Sequence, residues 1–224
     1  MTDPVPPAAG KAGQTWTLAA IGVGLVALLV SGGFLARQAM SPPAAKADAG
    51  SRDCRGRAFA EIGGPFDLVD TTGKAFTDRD LLGRPALIYF GFTYCPDICP
   101  MSLQVMAQAL SQAGPEASRI RPVLISLDPE RDSPAAMASY VASNGFPPGL
   151  IGLTGTPEQI AAAAKAYRVG FRKVTPDGAT DYVIDHSSIT YLVDSKGKLA
   201  TFFSGDATPD TMGRCLRDLL ADGL

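Results

Sequence analysis

The chain has 224 residues and a formal net charge of −2, with 20 lysines and arginines against 22 aspartates and glutamates. This length accommodates one domain with a full hydrophobic core plus a short accessory segment. Because the basic residues are scattered along the chain rather than clustered, the sequence gives no electrostatic support for nucleic-acid binding, and that class of function is excluded.

An uncharged apolar segment, TLAAIGVGLVALLVSGGFLA, occupies residues 17–36. About twenty apolar residues in a helix span the roughly 30 Å hydrocarbon core of a bilayer, whereas the apolar part of a cleavable signal peptide has about 7–15 residues. The sequence therefore predicts a cytoplasmic tail at 1–16 and one transmembrane helix at 17–36, with cleavage as the alternative. Residues 37–57 are rich in alanine, contain Pro42 and Pro43, and show no hydrophobic periodicity, so they are predicted to form a flexible tether.

Residues 58–224 alternate between apolar strands and amphipathic helices. The predicted elements in chain order are a hairpin at 65–79, a buried strand at 85–93, a helix at 97–113, a strand at 121–127, a helix at 134–143 capped by Ser133, a short strand at 150–155, a helix at 157–167 capped by Thr156, a hairpin at 188–203 and a helix at 209–220. This order predicts an α/β fold with a mixed central sheet flanked by helices.

The segment GFTYCPDICP, residues 91–100, places Cys95 and Cys99 where a buried strand meets a helix. Open α/β sheets hold their ligands at the carboxyl ends of strands, and a cysteine pair opening the next helix is the thioredoxin-like arrangement. The N-terminus of a helix stabilises thiolate, which is both a nucleophile and a metal ligand. The pair is therefore suited to metal binding, to thiol–disulfide exchange or, as the simplest alternative, to a structural disulfide.

The chain has one histidine, His186, which comes just before the predicted strand at 188–194. In a thioredoxin-like fold the loop before that strand faces the active cysteines, so we expect the imidazole to meet the two thiols. Two thiolates and one imidazole suit Cu(I), Cu(II) with a further oxygen ligand, or Zn(II) with an open position. Asp185 is a candidate for orienting the imidazole without touching the metal.

Three segments, TYCPDICP, DPERDSP and DYVIDHSSITYLVD, occur in this order and together resemble the SCO/SenC family of thioredoxin-like copper-binding proteins. The resemblance covers about residues 58–221 and implies that Cys95, Cys99 and His186 match the family's copper ligands. It also implies delivery of copper to the CuA centre of cytochrome c oxidase subunit II, with reduction of that centre's cysteines as an alternative. The acidic DPERD segment, from Asp128 to Asp132, matches a family region linked to partner contact, with Asp128 as the candidate residue and a polar loop and helix cap as the alternative.

A metal-binding thiol site on a tethered domain suits an exported location, although the few positive charges that flank the apolar segment favour the opposite orientation. The N-terminus lacks the arginine-rich amphipathic pattern of a mitochondrial transit peptide. The sequence therefore predicts a bacterial inner-membrane protein whose C-terminal domain lies in the periplasm. Besides subunit II, the expected partners are other periplasmic copper chaperones or thioredoxin-like reductases.

Two further cysteines, Cys54 and Cys215, lie outside the family motif. Their even count in an oxidising compartment predicts that they pair and join the tether to the last helix, with unpaired thiols as the alternative. Other functions use the central pair: thiol exchange with Cys95 attacking and Cys99 resolving, copper or redox sensing, and peroxidase activity. Peroxidase activity is disfavoured because Thr93 lies two residues before Cys95, whereas peroxiredoxins have a threonine three residues before their cysteine.

Overall fold

The computed structural model describes residue 54 and residues 62–178 and 180–224. These residues all belong to the compact unit Asp48–Leu224. The predicted tail, transmembrane helix and tether, apart from Cys54, lie outside the described residues. Within the described ranges, no helix is long and apolar enough to cross a membrane.

The strands form one large sheet and one small ribbon. In chain order they are β1 (Asp67–Asp70), β2 (Ala75–Thr77), β3 (Ala86–Gly91), β4 (Arg121–Ser126), β5 (Ile151–Thr154), β6 (Phe171–Val174), β7 (Val183–His186), β8 (Thr190–Val193) and β9 (Leu199–Phe203). The large sheet has the order β2-β1-β5-β4-β3-β8-β9, with β3, β4 and β5 parallel and antiparallel hairpins at both edges. The predicted mixed sheet and both predicted hairpins are confirmed.

The helices of the described ranges follow the predicted order closely. They are α1 (Ile98–Ala113), α2 (Pro134–Val141), α3 (Pro157–Ala166) and α4 (Pro209–Ala221), and short 3₁₀ helices lie at Asp78–Leu81 and Pro115–Arg119. Ser133 and Thr156 cap α2 and α3 as predicted, because each side-chain oxygen accepts a hydrogen bond from a backbone N–H of the first turn. Helix α1 packs against α4, the last helix of the chain.

Strand β3 lies at the centre of the hydrophobic core. All six of its residues, ALIYFG, are buried, so side chains cover the sheet on both faces at this point. A strand that is covered on both faces needs a continuous apolar run rather than an alternating one, which is the pattern of the sequence here. Each large apolar side chain buried in this way contributes about 1.5–3 kcal/mol to folding. The loop that carries the cysteines therefore starts from a firmly packed strand.

The ribbon β6–β7 differs from the sequence prediction, which has His186 in a loop before the hairpin strand. His186 is instead the last residue of β7 and pairs in register with Phe171 of β6. The first three residues of β6 are exposed, and they include Arg172 and Lys173. They lack the apolar pattern that identifies a strand in sequence, because the ribbon lies at the surface.

Cys54 and Cys215 are joined by a disulfide bond in the structure, with their Cα atoms 5.8 Å apart. Both residues are buried, and Cys215 lies within α4. The bond links positions separated by 161 residues, so it ties the segment before β1 to the last helix. A cross-link across so long a stretch restricts the unfolded chain strongly.

We expect the double substitution Cys54→Ser and Cys215→Ser to lower the free energy of unfolding by about 2–5 kcal/mol, because the unfolded chain regains conformational freedom. Urea unfolding followed by circular dichroism measures the change. Wild-type protein kept in dithiothreitol is the matched control and should lose a similar amount of stability. Alkylation of both cysteines in native, unreduced protein would show that they are not paired.

Candidate metal and thiol site

The loop after β3 carries Cys95, and the first turn of α1 carries Cys99. Cys95 is half-buried, whereas Cys99 has no exposed surface. Both are free cysteines. The backbone N–H of Cys99 donates a hydrogen bond to Sγ of Cys95 at 3.3 Å, so the loop folds the first sulfur back onto the start of the helix.

Gly91, the last residue of β3, makes room for the buried sulfur. A Cβ atom at this position would lie 3.0 Å from Sγ of Cys99 and 2.9 Å from Cε1 of Tyr89. Real Cβ atoms are almost never found as close as this to a ring atom, so a larger residue would displace the Tyr89 ring and crowd the Cys99 thiol. The hydroxyl of Tyr89 donates to the same sulfur across 3.8 Å.

The two thiols differ in acidity because their surroundings differ. The pKa of Cys95 is lowered to about 6, first by a hydrogen bond from the Cys99 thiol and further by backbone N–H groups of residues 97–99 at the start of α1. The pKa of Cys99 is raised, because its hydrogen bond to Cys95 retains its proton and burial disfavours its charged form. At neutral pH Cys95 is therefore a thiolate and Cys99 is its hydrogen-bond donor.

The imidazole of His186 lies against the buried thiol. Its Nε2 is 3.7 Å from Sγ of Cys99, and its Nδ1 is 3.2 Å from the carbonyl oxygen of Ser187. Its ring packs edge to face against Tyr89 and Phe92, with ring centroids 6.2 and 6.0 Å apart. Burial lowers the pKa of His186, which favours the neutral imidazole, the form that coordinates metals.

The described residues contain no group of three or more His, Cys, Asp or Glu side chains already arranged around a metal position. The Cys99 sulfur instead lies 3.7 Å from Nε2 of His186, and the Cys99 thiol donates a hydrogen bond to Cys95, so this buried sulfur is close to both other donors. Two sulfurs and one neutral imidazole nitrogen are donors that Cu(I) prefers. Binding of one ion by all three would displace the Cys99 proton and turn the side chains toward a common centre.

Asp185 does not orient the imidazole, so that prediction is corrected. Its carboxylate forms an ion pair with Arg172, with Nη2 2.9 Å from Oδ2, and both side chains are largely exposed. Neighbouring residues of a strand point to opposite faces, so Asp185 points away from the side on which His186 lies. The Ser187 carbonyl oxygen takes the orienting position at Nδ1 instead.

Asp128 also differs from its prediction as a residue for partner contact. It has no exposed surface, because its carboxylate accepts hydrogen bonds from Nε of Arg131 at 2.5 Å and from the hydroxyl of Tyr182 at 2.8 Å. A carboxylate buried in this way anchors neighbouring segments and cannot touch another protein directly. Glu130, in the same acidic segment, is the exposed residue.

Asp132 is a site residue that the sequence interpretation does not single out. Its buried carboxylate accepts hydrogen bonds from the backbone N–H and the hydroxyl of Thr93 at 3.1 and 2.6 Å, and from the hydroxyl of Ser126 at 2.6 Å. It therefore ties the cysteine loop to the end of β4. A sequence signal exists, because β3 and β4 are both buried parallel strands and polar residues follow each of them directly.

Apolar side chains are exposed beside the thiols. Tyr94, Ile98 and Met101 expose 64%, 46% and 53% of their surface. We call these three residues the apolar rim. Single exposed apolar residues are ordinary, but three of them around a reactive cysteine indicate a surface for contact with another molecule.

The family model described as SCO1/SenC matches residues 55–221. The chain is 41% identical to protein SenC of Rhodobacter capsulatus over 199 residues, which cover 87% of this chain and 88% of SenC. The structure of Bradyrhizobium japonicum ScoI with copper bound is similar at a TM-score of 0.62 and 43% identity, covering 70% of this chain and 98% of that one. The structure of BsSco, a member of the Sco family of cytochrome c oxidase assembly proteins in which a disulfide switch is identified, is similar at a TM-score of 0.54 and 27% identity, covering 74% and 95%.

The lowered pKa of Cys95 makes its reactivity depend on pH. In the metal-free protein with the central thiols reduced, we expect the rate of alkylation by iodoacetamide to rise about tenfold from pH 5 to pH 7 and then to level off, because thiolate is the reacting form. Mass spectrometry of the labelled peptides follows each cysteine separately. Cys99 is the internal control and should stay unlabelled until the protein unfolds. A rate that is still rising steeply at pH 9 would contradict the assignment.

Proposed function

The chain belongs to the SCO1/SenC family, and on that premise we propose that it is a membrane-anchored copper chaperone that delivers copper to the CuA centre of cytochrome c oxidase subunit II. The proposed copper ligands are Cys95, Cys99 and His186. The observation that carries the proposal is the 3.7 Å approach of the His186 Nε2 to the Cys99 sulfur, between residues separated by 87 positions. The copper bound to the similar ScoI supports copper as the metal.

The donor set bears on the oxidation state of the copper ion. Two thiolates and one imidazole suit the three-coordinate geometry of Cu(I), and Cu(II) would need an additional oxygen ligand. The neutral state of His186, favoured by burial, leaves its nitrogen lone pair available to either ion. The proposal therefore covers both oxidation states.

Unequal burial of the ligands favours transfer from one side. Cys95 is half-exposed, whereas Cys99 is closed off by protein. A partner's ligand would therefore approach on the Cys95 side and take the place of its thiolate on copper. The apolar rim beside Cys95 is the proposed docking surface for the copper-accepting domain of subunit II.

We further propose that residues 17–36 anchor the protein in a bacterial inner membrane with the domain in the periplasm. The uncharged apolar segment supports the anchor, since its length matches the thickness of a bilayer. The disulfide between Cys54 and Cys215 supports the oxidising side of the membrane, since disulfides persist in such compartments.

A second candidate function is thiol–disulfide exchange that keeps the CuA-site cysteines reduced. The observation in its favour is a free, half-exposed Cys95 thiolate next to a protonated Cys99 thiol. In this reaction Cys95 would attack a partner disulfide and release one partner thiolate. Cys99 would then attack the mixed disulfide, so that the partner leaves as a dithiol and Cys95 and Cys99 become oxidised.

Anaerobic titration of the full chain in detergent with Cu(I) tests the ligand set. We expect one tightly bound ion per chain, which is lost in Cys95→Ala and Cys99→Ala. In His186→Ala we expect binding to weaken by at least roughly 100-fold, because loss of a direct ligand should cost no less than loss of a residue that supports a ligand, which costs about 10–100-fold. The double variant Cys54→Ser and Cys215→Ser is the matched control, since it removes two cysteines outside the site and should bind normally. Unchanged affinity in His186→Ala would exclude this ligand set.

The two candidate functions differ in their need for the imidazole. If copper delivery is the function, His186→Ala should fail to restore oxidase activity in a strain that lacks the gene, because the variant lacks one of the proposed copper ligands. If thiol exchange is the function, the same variant should restore activity, because the imidazole has no role in that reaction. Oxidase activity per cell measures the outcome, with immunoblotting to show equal amounts of protein. Full restoration by His186→Ala together with failure of Cys95→Ala would favour the reductase.

A further inference from the structure

The segment that carries His186 is a separate unit from the sheet that carries the cysteines. In the described ranges, no strand pairing joins the ribbon β6–β7 to the seven-stranded sheet. Ile184, on the ribbon, is buried in the core and provides one attachment. The chain brings His186 near the thiols, because β8 begins at Thr190, a short way after His186, and pairs with β3. Side-chain contacts of the ribbon then set where the imidazole lies relative to the two sulfurs.

The His186 ring also packs against Tyr89 and Phe92, and further attachments of the ribbon lead to the acidic segment after β4. Nζ of Lys173 is 2.5 Å from a carboxylate oxygen of Glu130, and the hydroxyl of Tyr182 donates to Asp128. The Lys173–Glu130 pair is exposed to solvent, so salt screens it and it holds the ribbon only weakly. The contacts that hold the ribbon firmly must therefore be the buried ones around Asp128.

Arg131 lies beside Asp128 and makes most of these buried contacts. Its Nε donates to Asp128 and its Nη1 donates to the backbone carbonyl of Tyr182 at 3.1 Å. Its guanidinium carbon is 3.8 Å from the centroid of the Tyr182 ring and 4.6 Å from the centroid of the Tyr94 ring. Only 17% of the arginine side chain is exposed.

The two rings belong to the two segments that carry the proposed ligands. Tyr94 directly precedes Cys95, and Tyr182 directly precedes β7, the strand that ends at His186. One guanidinium therefore touches both segments. A flat, permanently charged group can offer its faces to aromatic rings while its edges donate hydrogen bonds, which a lysine ammonium cannot do.

One nitrogen of the Arg131 guanidinium has no hydrogen-bond partner in the described ranges. Its Nη2 nitrogen is buried and has no hydrogen-bond partner among the described residues. A buried donor without a partner destabilises the folded protein. Arg131 therefore keeps its contacts with the rings of Tyr94 and Tyr182 although one of its donors is unpaired in the part of the chain that the structure describes.

We propose that Arg131 is a positioning residue that holds the His186 ribbon against the cysteine loop, so that the imidazole and both thiols reach the same copper ion. The inference rests on the proposed copper-binding function. Arg131 does not touch the metal and acts through His186. Without it, the two cysteines still bind copper, but the imidazole no longer joins them.

The test compares Arg131→Met with wild type, using the full chain in detergent loaded with Cu(II). We expect the variant to keep the thiolate-to-copper absorption band, to lose the nitrogen hyperfine splitting in its electron paramagnetic resonance spectrum, and to bind copper roughly 10–100-fold more weakly. Arg172→Met is the matched control, because Arg172 lies on the same ribbon but forms its ion pair with Asp185 at the surface. That variant should keep both the splitting and the affinity.

A double variant separates positioning from a general effect on stability. If Arg131 acts through the imidazole, Arg131→Met added to His186→Ala should weaken copper binding no further than His186→Ala alone. Losses that multiply, or nitrogen splitting retained in Arg131→Met, would overturn the inference. If Arg131→Met does not fold, Tyr94→Leu replaces it, since Tyr94 is exposed and its loss removes one face of the stack. Retained splitting and affinity in Tyr94→Leu would likewise overturn the inference.

Failure of the inference and failure of the proposed function give different results. If wild type binds copper with nitrogen splitting that depends on His186, and the arginine variant behaves the same way, only the role of Arg131 is wrong. If wild type binds no copper, or binds it without the cysteines, the proposed function itself is wrong.

Discussion

The contact between the Cys99 sulfur and the His186 imidazole is the interaction on which the rest of the site depends. It brings together the centre of the large sheet and a ribbon that does not share that sheet's hydrogen bonds. Several features serve this contact. Gly91 leaves space for the sulfur, and Tyr89 and Phe92 pack against the imidazole from the strand and loop that lead to the cysteines. The chemistry of the thiols follows from this burial, since the proton that remains on Cys99 makes Cys95 a thiolate.

Two buried carboxylates hold the segments that surround this contact. Asp132 binds the cysteine loop through Thr93, and Asp128 binds the side chains of Arg131 and Tyr182. A buried carboxylate is tolerated only when its oxygens accept hydrogen bonds, so each of these residues imposes the positions of its donors. The acidic segment after β4 thus holds the site through buried side chains. Its sequence resembles an exposed charged loop, but its two aspartates are enclosed by protein.

The sequence predicts the features that depend on local pattern. The strands, helices and helix caps follow from apolar runs and capping residues, and the place of the cysteines follows from the strand-to-helix junction. The ribbon was missed because a surface strand such as FRKV has no apolar signal. The orientation of Asp185 and the burial of Asp128 depend on tertiary contacts with Arg172, Arg131 and Tyr182, which the spacing along the chain does not encode. The role of Arg131 is hidden for the same reason, since its two rings come from residues distant in sequence.

The difference in exposure between the two central thiols gives a copper ion held as proposed an ordered route of departure. The outer sulfur can be exchanged first, while the enclosed sulfur keeps hold of the ion until an incoming donor has already bound. Small thiols in the surrounding solution could replace the Cys95 ligand but could not reach the copper on the side of the enclosed Cys99 sulfur. Release would then depend on a partner large enough to bind the apolar rim. The same burial that makes one thiol acidic would therefore also limit loss of the metal to the wrong acceptors.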